Sequence, residues 1–239
     1  MIPALGVIPA RYGASRFPGK PLAPLWGRPL IQHVWERACA IGGLDALVVA
    51  TDDERIAEVA RAFGAEVEMT SADHASGTDR VAEVARRRPS ARIVVNLQGD
   101  EPELNAEAVA AMVAAMRADP NLRMATLAHV ERDASLLAST DVVKLEMDGE
   151  AHALDFTRGV SRPGVRVLRH IGVYGFDRDF LLEFASWPPG ESERRERLEQ
   201  LRALERGVKI RVFESARAAA GVDTPEQLAA LDRRGPLPR

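Results

Sequence analysis

The sequence has a single cysteine, no long apolar run and no excess of one charge. Cys39 cannot form an internal disulfide, which favours a reducing compartment. No run approaches the roughly 18 apolar residues of a membrane span, and no basic segment followed by an apolar one marks a secretory signal. We therefore expect a cytoplasmic protein without a membrane partner.

Charge of one sign is lacking as well, since 32 Lys and Arg stand against 35 Asp and Glu. Because these cations and anions are interspersed, the sequence offers no general nucleic-acid surface, and small-molecule partners are favoured. Two nucleotide motifs are also missing. Neither Gly-x-Gly-x-x-Gly nor Gly-x-x-x-x-Gly-Lys-Ser/Thr occurs, which argues against a nicotinamide oxidoreductase and against a P-loop protein.

The sequence does contain an alternation of strand-like and helix-like segments. Apolar runs such as 46–51 and 93–97 are typical of strands buried on both faces of a parallel sheet, and helical spacing of apolar residues separates them. This order predicts an α/β fold with a doubly wound, mostly parallel sheet. Without linkers or repeats, we expect one domain over residues 1–239 with an inserted strand-rich lobe at about 125–175.

Finer predictions concern the second half of the chain. The runs 142–147 and 151–156 are expected to form a hairpin around Asp148 and Gly149. Residues 177–186 and 192–206 are predicted to be helices, the second rich in Arg and Glu. A capping-box pattern beginning at Thr224 predicts the start of a last helix.

The stretch 8–22 lies between the first predicted strand and the first predicted helix. It carries three cations, Arg11, Arg16 and Lys20, and two glycines. Glycines let backbone N–H groups approach an anion, and the cations can neutralise several charges of a triphosphate, so we predict a phosphate site here. The alternative is a solvated basic turn of the kind common on protein surfaces.

The turn 98–102, Gln-Gly-Asp-Glu-Pro, ends the strand predicted at 93–97. Open α/β sheets bind their ligands at the carboxyl ends of strands, so this turn is expected at a ligand site. Asp100 is the carboxylate best placed to act there. Its alternative role is that of an ordinary turn residue before Glu101 and Pro102.

Six stretches resemble a single family and occur in the family's order: 9–21, 73–80, 96–102, 170–174, 199–202 and 221–228. The opening Ile-Pro-Ala-Arg is shared with CMP-sialic acid synthetases. The continuation Ser-Arg-Phe-Pro-Gly-Lys-Pro-Leu and the segment Asp-His-x-Ser-Gly-Thr-Asp-Arg instead resemble the 3-deoxy-manno-octulosonate (Kdo) cytidylyltransferases, also called CMP-Kdo synthetases. The resemblance covers nearly the whole chain.

This resemblance implies a nucleotide-diphospho-sugar transferase-like fold and a reaction. The anomeric hydroxyl of Kdo attacks the α-phosphate of CTP in line and gives CMP-Kdo and pyrophosphate, for lipopolysaccharide biosynthesis. Such a transfer depends on positioning and charge neutralisation, with Mg²⁺ held by one or two carboxylates. The sequence contains cations and carboxylates of this kind.

The resemblance also implies residue roles. The implied CTP-binding residues are Pro9, Ala10, Arg11, Gly13, Arg16, Lys20, Ser76, Thr78, Arg80 and Gln98. The implied residues of the sugar-acid pocket are Gln98, His170, Tyr174, Glu199, Gln200 and Arg202. The implied catalytic residues are Arg11, Lys20 and Asp100, and the implied Mg²⁺ ligands are Asp100 and Asp223.

Several of these residues have simpler structural explanations. Ser76 or Thr78 could be the N-cap of an ordinary helix. His170 could be a satisfied core histidine in an apolar strand. Glu199 and Arg202, at a spacing of three, could be an ion pair on a helix surface. For Asp223 the simpler role is in the start of the last helix, although Thr224 is the better cap.

Two stretches depart from the family pattern. Residues 159–164 form a shorter loop than the family carries after Phe-Thr-Arg, and residues 190–195 are charged where the family has Ser-x-Leu-Glu. Family members pair as homodimers through the inserted lobe, so a homodimer is implied here. The alternatives for function are activation of a related acid, such as 8-amino Kdo or a sialic-acid-like sugar, and a nucleotide-binding regulator without turnover.

Overall fold

The computed structural model describes residues 3–13, 16–218 and 221–236. The elements of the first half are β1 (Ala4–Ala10), a 3-10 turn (Lys20–Leu22), β2 (Pro24–Leu25), β3 (Arg28–Pro29), α1 (Leu30–Cys39), β4 (Ala46–Thr51), α2 (Glu54–Ala62), β5 (Glu66–Met69), α3 (Gly77–Arg87), β6 (Ile93–Asn96) and α4 (Ala106–Ala118). Those of the second half are β7 (Met124–His129), α5 (Ala134–Ala138), β8 (Lys144–Met147), β9 (Ala153–Thr157), β10 (Arg166–Asp177), α6 (Arg178–Ser186), α7 (Glu191–Glu196), α8 (Leu201–Glu205), β11 (Ile210–Glu214) and α9 (Pro225–Arg234). Within the described ranges, no helix has the length and apolar character needed to cross a membrane.

The main sheet has the strand order β11-β7-β10-β6-β1-β4-β5. The strands β6, β1, β4 and β5 are parallel to one another, and β11 is parallel to β7. The long strand β10 is antiparallel to both of its neighbours, β6 and β7. The predicted α/β class with a mostly parallel sheet is therefore confirmed, with one antiparallel strand that the sequence pattern did not distinguish.

The sheet is buried on both faces, which makes the fold doubly wound. On one face, alternate strand residues such as Val7 and Val94 pack with the apolar sides of α3 and α6. On the other face, Ile8 and Val95 pack with α1, α2 and α4. Burying each such side chain contributes on the order of 1.5–3 kcal/mol, so these two layers fix the positions of the loops at the strand ends.

The predicted hairpin is formed by β8 and β9, which pair with each other and with the first part of β10. At its turn, the Asp148 carboxylate accepts hydrogen bonds from the backbone N–H groups of Glu150 and His152. Strand β7 lies inside the main sheet, between β11 and β10. The stretch 125–175 is expected from the sequence to form a lobe. Only part of it, the β8–β9 hairpin and the loops around it, lies outside the row of seven strands given above.

The prediction of one helix over 192–206 is wrong. The structure has two short helices, α7 and α8, and the left-handed conformation of Arg197 (φ 56°) ends the first. Leu198 and Gln200 then turn into the protein interior. Apolar burial of this connecting segment, which carries Glu199, outweighs the helical preference of the Arg- and Glu-rich sequence.

Candidate active site

Polar residues from several loops meet at the carboxyl ends of β1 and β6, around a cavity of about 150 Å³. It is lined by Pro9, Ala10, Arg11, Lys20, Pro21, His74, Ser76, Gly77, Arg80, Gln98, Gly99 and Asp100. Most of the residues predicted to bind the nucleotide thus surround one cavity. Three other predicted residues, Gly13, Arg16 and Thr78, are not part of its lining.

Glycines allow the loops around this cavity to pack closely. A Cβ atom on Gly99 would lie 2.7 Å from the carbonyl oxygen of Pro9, so a larger residue would push the turn 98–102 away from β1. Gly19 has a φ of 72° and donates its N–H to the carbonyl of Tyr12 at 2.8 Å. The guanidinium of Arg55 lies 3.4 Å above the Tyr12 ring. Positions 14 and 15 of this loop lie outside the described residues.

The ammonium group of Lys20 joins two carboxylates from distant parts of the chain. Its Nζ lies 2.7 Å from Asp100 Oδ2 and 3.5 Å from Asp223 Oδ1, and it donates a hydrogen bond to the carbonyl of Val222 at 2.8 Å. The backbone supports the arrangement, because the N–H of Val222 donates to the carbonyl of Asp100. Arg16 adds a second cation, 3.0 Å from Asp223 Oδ2. These charge-assisted contacts bring the loop 8–22, the turn after β6 and the start of α9 together.

The same residues suit a divalent cation. Asp100 and Asp223 present hard oxygen donors around one shared position, which is the type of ligand that Mg²⁺ prefers. Among the described residues, Asp100 Oδ1 makes no hydrogen bond or ion pair, so that oxygen is available as a ligand. The donor set therefore fits one Mg²⁺ held by two carboxylates, with the remaining ligands from phosphate and water.

The start of α3 combines a cap with a link to another segment. Ser76 is the N-cap, since its hydroxyl accepts the Asp79 N–H while the Asp79 carboxylate accepts the Ser76 N–H. The Ser76 hydroxyl lies 2.8 Å from Glu199 Oε1 and 3.0 Å from Asp79 Oδ2, and it can donate its single proton to one of them. The Thr78 hydroxyl donates to the other oxygen of Glu199. The simpler explanation of Ser76 as a helix cap is thus correct, and Glu199 holds this cap in place.

Arg80 is a buried cation at the cavity wall, with 3% of its surface exposed. It donates a hydrogen bond to the Thr70 hydroxyl, and its second terminal nitrogen lies 3.3 Å from Asp52 Oδ1. A buried guanidinium needs such partners because its desolvation is costly. The contacts fix its orientation towards the cavity.

Two aromatic residues of β10, His170 and Tyr174, have rings that contact each other, with their centroids 5.5 Å apart. The His170 ring packs edge-on against Phe156, and its Nε2 lies 3.0 Å from the Thr126 hydroxyl. Thr126 also lies 2.9 Å from the carbonyl of Val173, to which it donates its only proton, so His170 Nε2 is the donor to Thr126. Burial lowers the pKa of His170 to about 3, which keeps the ring neutral. This contact agrees with the simpler explanation, in which His170 is a core histidine whose ring nitrogen has a hydrogen-bond partner within the protein.

Two carboxyl groups, the buried Glu101 and the half-buried Glu199, act on Tyr174. Burial first, and then the charges of Glu199 and Glu101, raise the pKa of the Tyr174 phenol, which therefore stays protonated. Glu101 itself accepts one hydrogen bond, from the N–H of Gly172 at 3.2 Å, and its pKa is raised to about 8 by burial and by the adjacent Asp100. Burial also raises the pKa of Glu199, against the effect of the hydrogen bonds from Thr78 and Ser76. Tyr174, Glu101 and Glu199 together form one wall of this region.

Arg202 is engaged away from the cavity. It forms a two-point contact with Glu193 and donates to the carbonyl of Trp187, while Glu199 lies 3.8 Å away. Gln200 is buried, and its Nε2 has no hydrogen-bond partner among the described residues. The predicted sugar-acid residues are thus brought near one another, but Arg202 belongs to their support.

Sequence reasoning missed two residues of this region. His74 lines the cavity, and its Nε2 lies 2.5 Å from Glu83 Oε2. Glu101 supports β10 through Gly172, as described above. His74 lies in stretch 73–80 and Glu101 in stretch 96–102, and both stretches carry the family resemblance. That position is a signal of proximity to the site. Nothing in the local sequence predicts the contact of His74 with Glu83 or that of Glu101 with Gly172.

Comparison with known proteins shows the family to which the chain belongs. The family model described as Cytidylyltransferase matches residues 5–210. The chain belongs to the cytidylyltransferase family. Its relatives include the 3-deoxy-manno-octulosonate cytidylyltransferases of Syntrophobacter fumaroxidans, 48% identical over 95% of this chain and 94% of that protein, and of an Anaeromyxobacter species, 50% identical over 93% and 92%.

A solved cytidylyltransferase structure shares the whole architecture. It is a CMP-2-keto-3-deoxy-manno-octonic acid synthetase complexed with CTP, with a TM-score of 0.90 and 43% identity over 97% of this chain and 98% of that one. A 4-diphosphocytidyl-2C-methyl-D-erythritol synthase from Anaerococcus prevotii, with a TM-score of 0.65 and 13% identity, shares the fold. The mostly parallel sheet with helices on both faces is thus the architecture of this group of nucleotidyltransferases.

Proposed function

We propose that this chain transfers CMP from CTP to the anomeric hydroxyl of Kdo and releases pyrophosphate. The observation that carries the proposal is the meeting of Lys20, Asp100 and Asp223 beside a cavity lined by Arg11 and Arg80. The 3-deoxy-manno-octulosonate cytidylyltransferases at 45–50% identity support the choice of CTP and Kdo. The product is an activated sugar acid for lipopolysaccharide assembly in the cytoplasm.

The residues of this chain perform the transfer by positioning and charge. The sugar oxygen forms a bond to the α-phosphorus, the bond from that phosphorus to the bridging oxygen breaks, and the hydroxyl proton leaves with solvent or a phosphate oxygen. Arg11 and Lys20 neutralise the charge that develops on the pyrophosphate, while Arg80, Ser76 and Gln98 orient the nucleoside. Pro9, Ala10 and Gly13 place backbone groups along the phosphates, and Arg16 holds Asp223.

Asp100 and Asp223 would hold Mg²⁺. When bound, the ion supplies positive charge to the triphosphate and to the leaving pyrophosphate. The Lys20 ammonium, which contacts both carboxylates in this structure, would then be available to the phosphate oxygens, because it and a divalent cation would compete for the same carboxylate oxygens.

The sugar acid is proposed to bind between Gln98 and the wall formed by His170, Tyr174 and Glu199. Gln98 and Tyr174 can donate hydrogen bonds to the sugar acid, and Glu199 and Nδ1 of His170 can accept them from its hydroxyl groups. Arg202 contributes by holding the segment that carries Glu199, through its contacts to Glu193 and to the backbone carbonyl of Trp187, and Gln200 is buried in that same segment.

Pyrophosphate release over a panel of nucleotides and sugar acids tests the function. We expect release with CTP, Mg²⁺ and Kdo, and little release with UTP or ATP. Release with 8-amino Kdo or a sialic acid, but not with Kdo, would contradict the substrate assignment. CTP binding in calorimetry without release on any acid would instead indicate a nucleotide-binding regulator.

A homodimer through the region 125–175 is also proposed. The large apolar residues of this region that remain exposed are Val130, Leu136, Leu154 and Val160, and Val160 is 98% exposed. Exposed apolar side chains mark an association surface when they form a contiguous patch, which we propose for these residues. Light scattering should give twice the 26.0 kDa chain mass, and Val160→Asp together with Leu154→Asp should shift the mass towards one chain.

A further inference from the structure

His74 is the one histidine in the lining of the nucleotide cavity among the described residues, and the mechanism above gives it no task. It lies in the turn between β5 and α3, with 19% of its side chain exposed. Its Nε2 contacts Glu83 Oε2 at 2.5 Å. Glu83 is a residue of α3, so the ring is fixed to the helix whose first turn borders the cavity.

The partner of Nε2 determines what Nδ1 can do. Glu83 also accepts the N–H of Ser71 at 2.9 Å and pairs with Arg87. Burial of Glu83 favours its protonated form, but the hydrogen bonds from Ser71 and His74 and the charge of Arg87 outweigh this effect and lower its pKa. An ionised Glu83 only accepts hydrogen bonds, so Nε2 carries a proton, and in the tautomer that this contact selects Nδ1 is an acceptor.

A hydrogen-bond acceptor at the cavity wall can pair only with a hydrogen-bond donor of the ligand. Phosphate oxygens are acceptors and cannot satisfy Nδ1, whereas a nucleoside offers donors in its ribose hydroxyls and, for cytosine, its 4-amino group. Among the described residues, Nδ1 of His74 makes no hydrogen bond. We propose that His74 accepts a hydrogen bond through Nδ1 from a hydroxyl or amino donor of the bound nucleoside, held in that orientation by Glu83. This inference rests on the proposed function, because it concerns the CTP of that same site.

Two substitutions test the roles of the two ring nitrogen atoms separately. In His74→Gln, the amide lies near the former Nε2 and can still donate to Glu83, but no acceptor remains at the position of Nδ1. In His74→Asn, the amide oxygen lies near the former Nδ1 and keeps the acceptor, while the contact with Glu83 is lost. His152→Gln is the matched control, since His152 lies at the β8–β9 turn away from the cavity.

The measurement is calorimetric binding of CTP, 2′-deoxy-CTP, 3′-deoxy-CTP and UTP to each variant, with thermal unfolding as a check of folding. We expect His74→Gln to weaken CTP about five- to tenfold, the usual effect of losing one hydrogen bond. One analogue, the one that lacks the contacted donor, should bind wild type and His74→Gln with equal affinity. His74→Asn should recover most of the loss, and His152→Gln should bind like wild type.

Two outcomes overturn the proposal. Unchanged CTP affinity in His74→Gln would show that the ring makes no productive contact. An equal loss for all four nucleotides would place the contact on a group that they share, such as phosphate, so that the donor assignment is wrong. If wild type itself binds no CTP, the proposed function fails, and this result is distinct from a failure of the His74 proposal.

Discussion

In the part of the cavity proposed to bind the nucleotide, charged groups from distant parts of the chain meet one another, whereas in the part proposed to bind the sugar acid the polar groups are bonded within the protein. An ionic junction joins Lys20 to Asp100 and Asp223. In the proposed mechanism, phosphate replaces the carboxylates around Lys20, and the metal replaces Lys20 between the carboxylates. His170 and Glu199 contact Thr126 and the start of α3. We infer from this difference that the proposed nucleotide half works through exchangeable charge and the proposed sugar half through a fixed shape.

The largest expected effect comes from removing one charge of the ionic junction. Asp100→Asn keeps the size of the side chain and its contact with Lys20 but removes a carboxylate. We expect pyrophosphate release to fall about a hundred- to a thousandfold, while CTP affinity changes much less. Asp119→Asn, at the exposed end of α4, is the control. Activity within tenfold of wild type would remove Asp100 from the catalytic set.

A smaller effect is expected from the sugar side. Glu199→Gln removes a carboxylate oxygen proposed to accept from the sugar acid, so we expect the KM for Kdo to rise about fivefold. It keeps one acceptor for Ser76 or Thr78, so we expect the KM for CTP to rise less than twofold. Steady-state kinetics with each substrate varied in turn measure the split, with Glu191→Gln as control. An equal rise in both KM values would mean that Glu199 mainly supports the nucleotide half.

A third test concerns the backbone of loop 8–22. Gly19 and Gly27 have φ angles of 72° and 77°, so alanine at either position costs about 1–2 kcal/mol of stability. A Cβ on Gly19 would in addition lie 3.2 Å from the Tyr12 ring, whereas one on Gly27 would meet nothing within 4 Å. We therefore expect Gly19→Ala alone to raise the KM for CTP, by about threefold. Equal KM values for the two variants would contradict a role for this packing.

The smallest effect on activity, and a distinct one on stability, is expected from His170. Its folded-state pKa of about 3 lies below the ordinary value of 6.5, so the unfolded chain takes up a proton as the pH falls below 6.5 and the folded chain does not. Folding stability should thus decline by up to roughly 1.4 kcal/mol per pH unit from pH 6.5 towards pH 3.

His170→Asn lacks this proton uptake, so its urea-unfolding free energy should depend less on pH than that of wild type over pH 6.5 to 4.5. Asn will also lose the packing against Phe156, which lowers stability at every pH and leaves the slope as the informative quantity. Parallel pH profiles for the two proteins would show that His170 is readily protonated in the folded chain.

Local sequence patterns predicted the strands and most helices because burial on both faces leaves a continuous apolar run, as in 46–51, which is β4 in the structure. They failed for 192–206, where the helix ends at Arg197 for reasons of tertiary packing. In the site, the resemblance selected most of the residues that line the cavity. Spacing cannot show that Lys20 joins Asp100 to Asp223 or that Glu199 accepts hydrogen bonds from the start of α3. Such contacts depend on residues far apart in the chain.

The position of β10 has a consequence for synthesis of the chain. When residues 3–96 have left the ribosome, β1, β4, β5 and β6 can pair, but β6 is then an open edge of the sheet. Its partner residues, 174–177, are made only after β7, β8 and β9. During that interval the unpaired edge can join strands of other chains, so early aggregation, rather than late misfolding, is the main hazard of this topology.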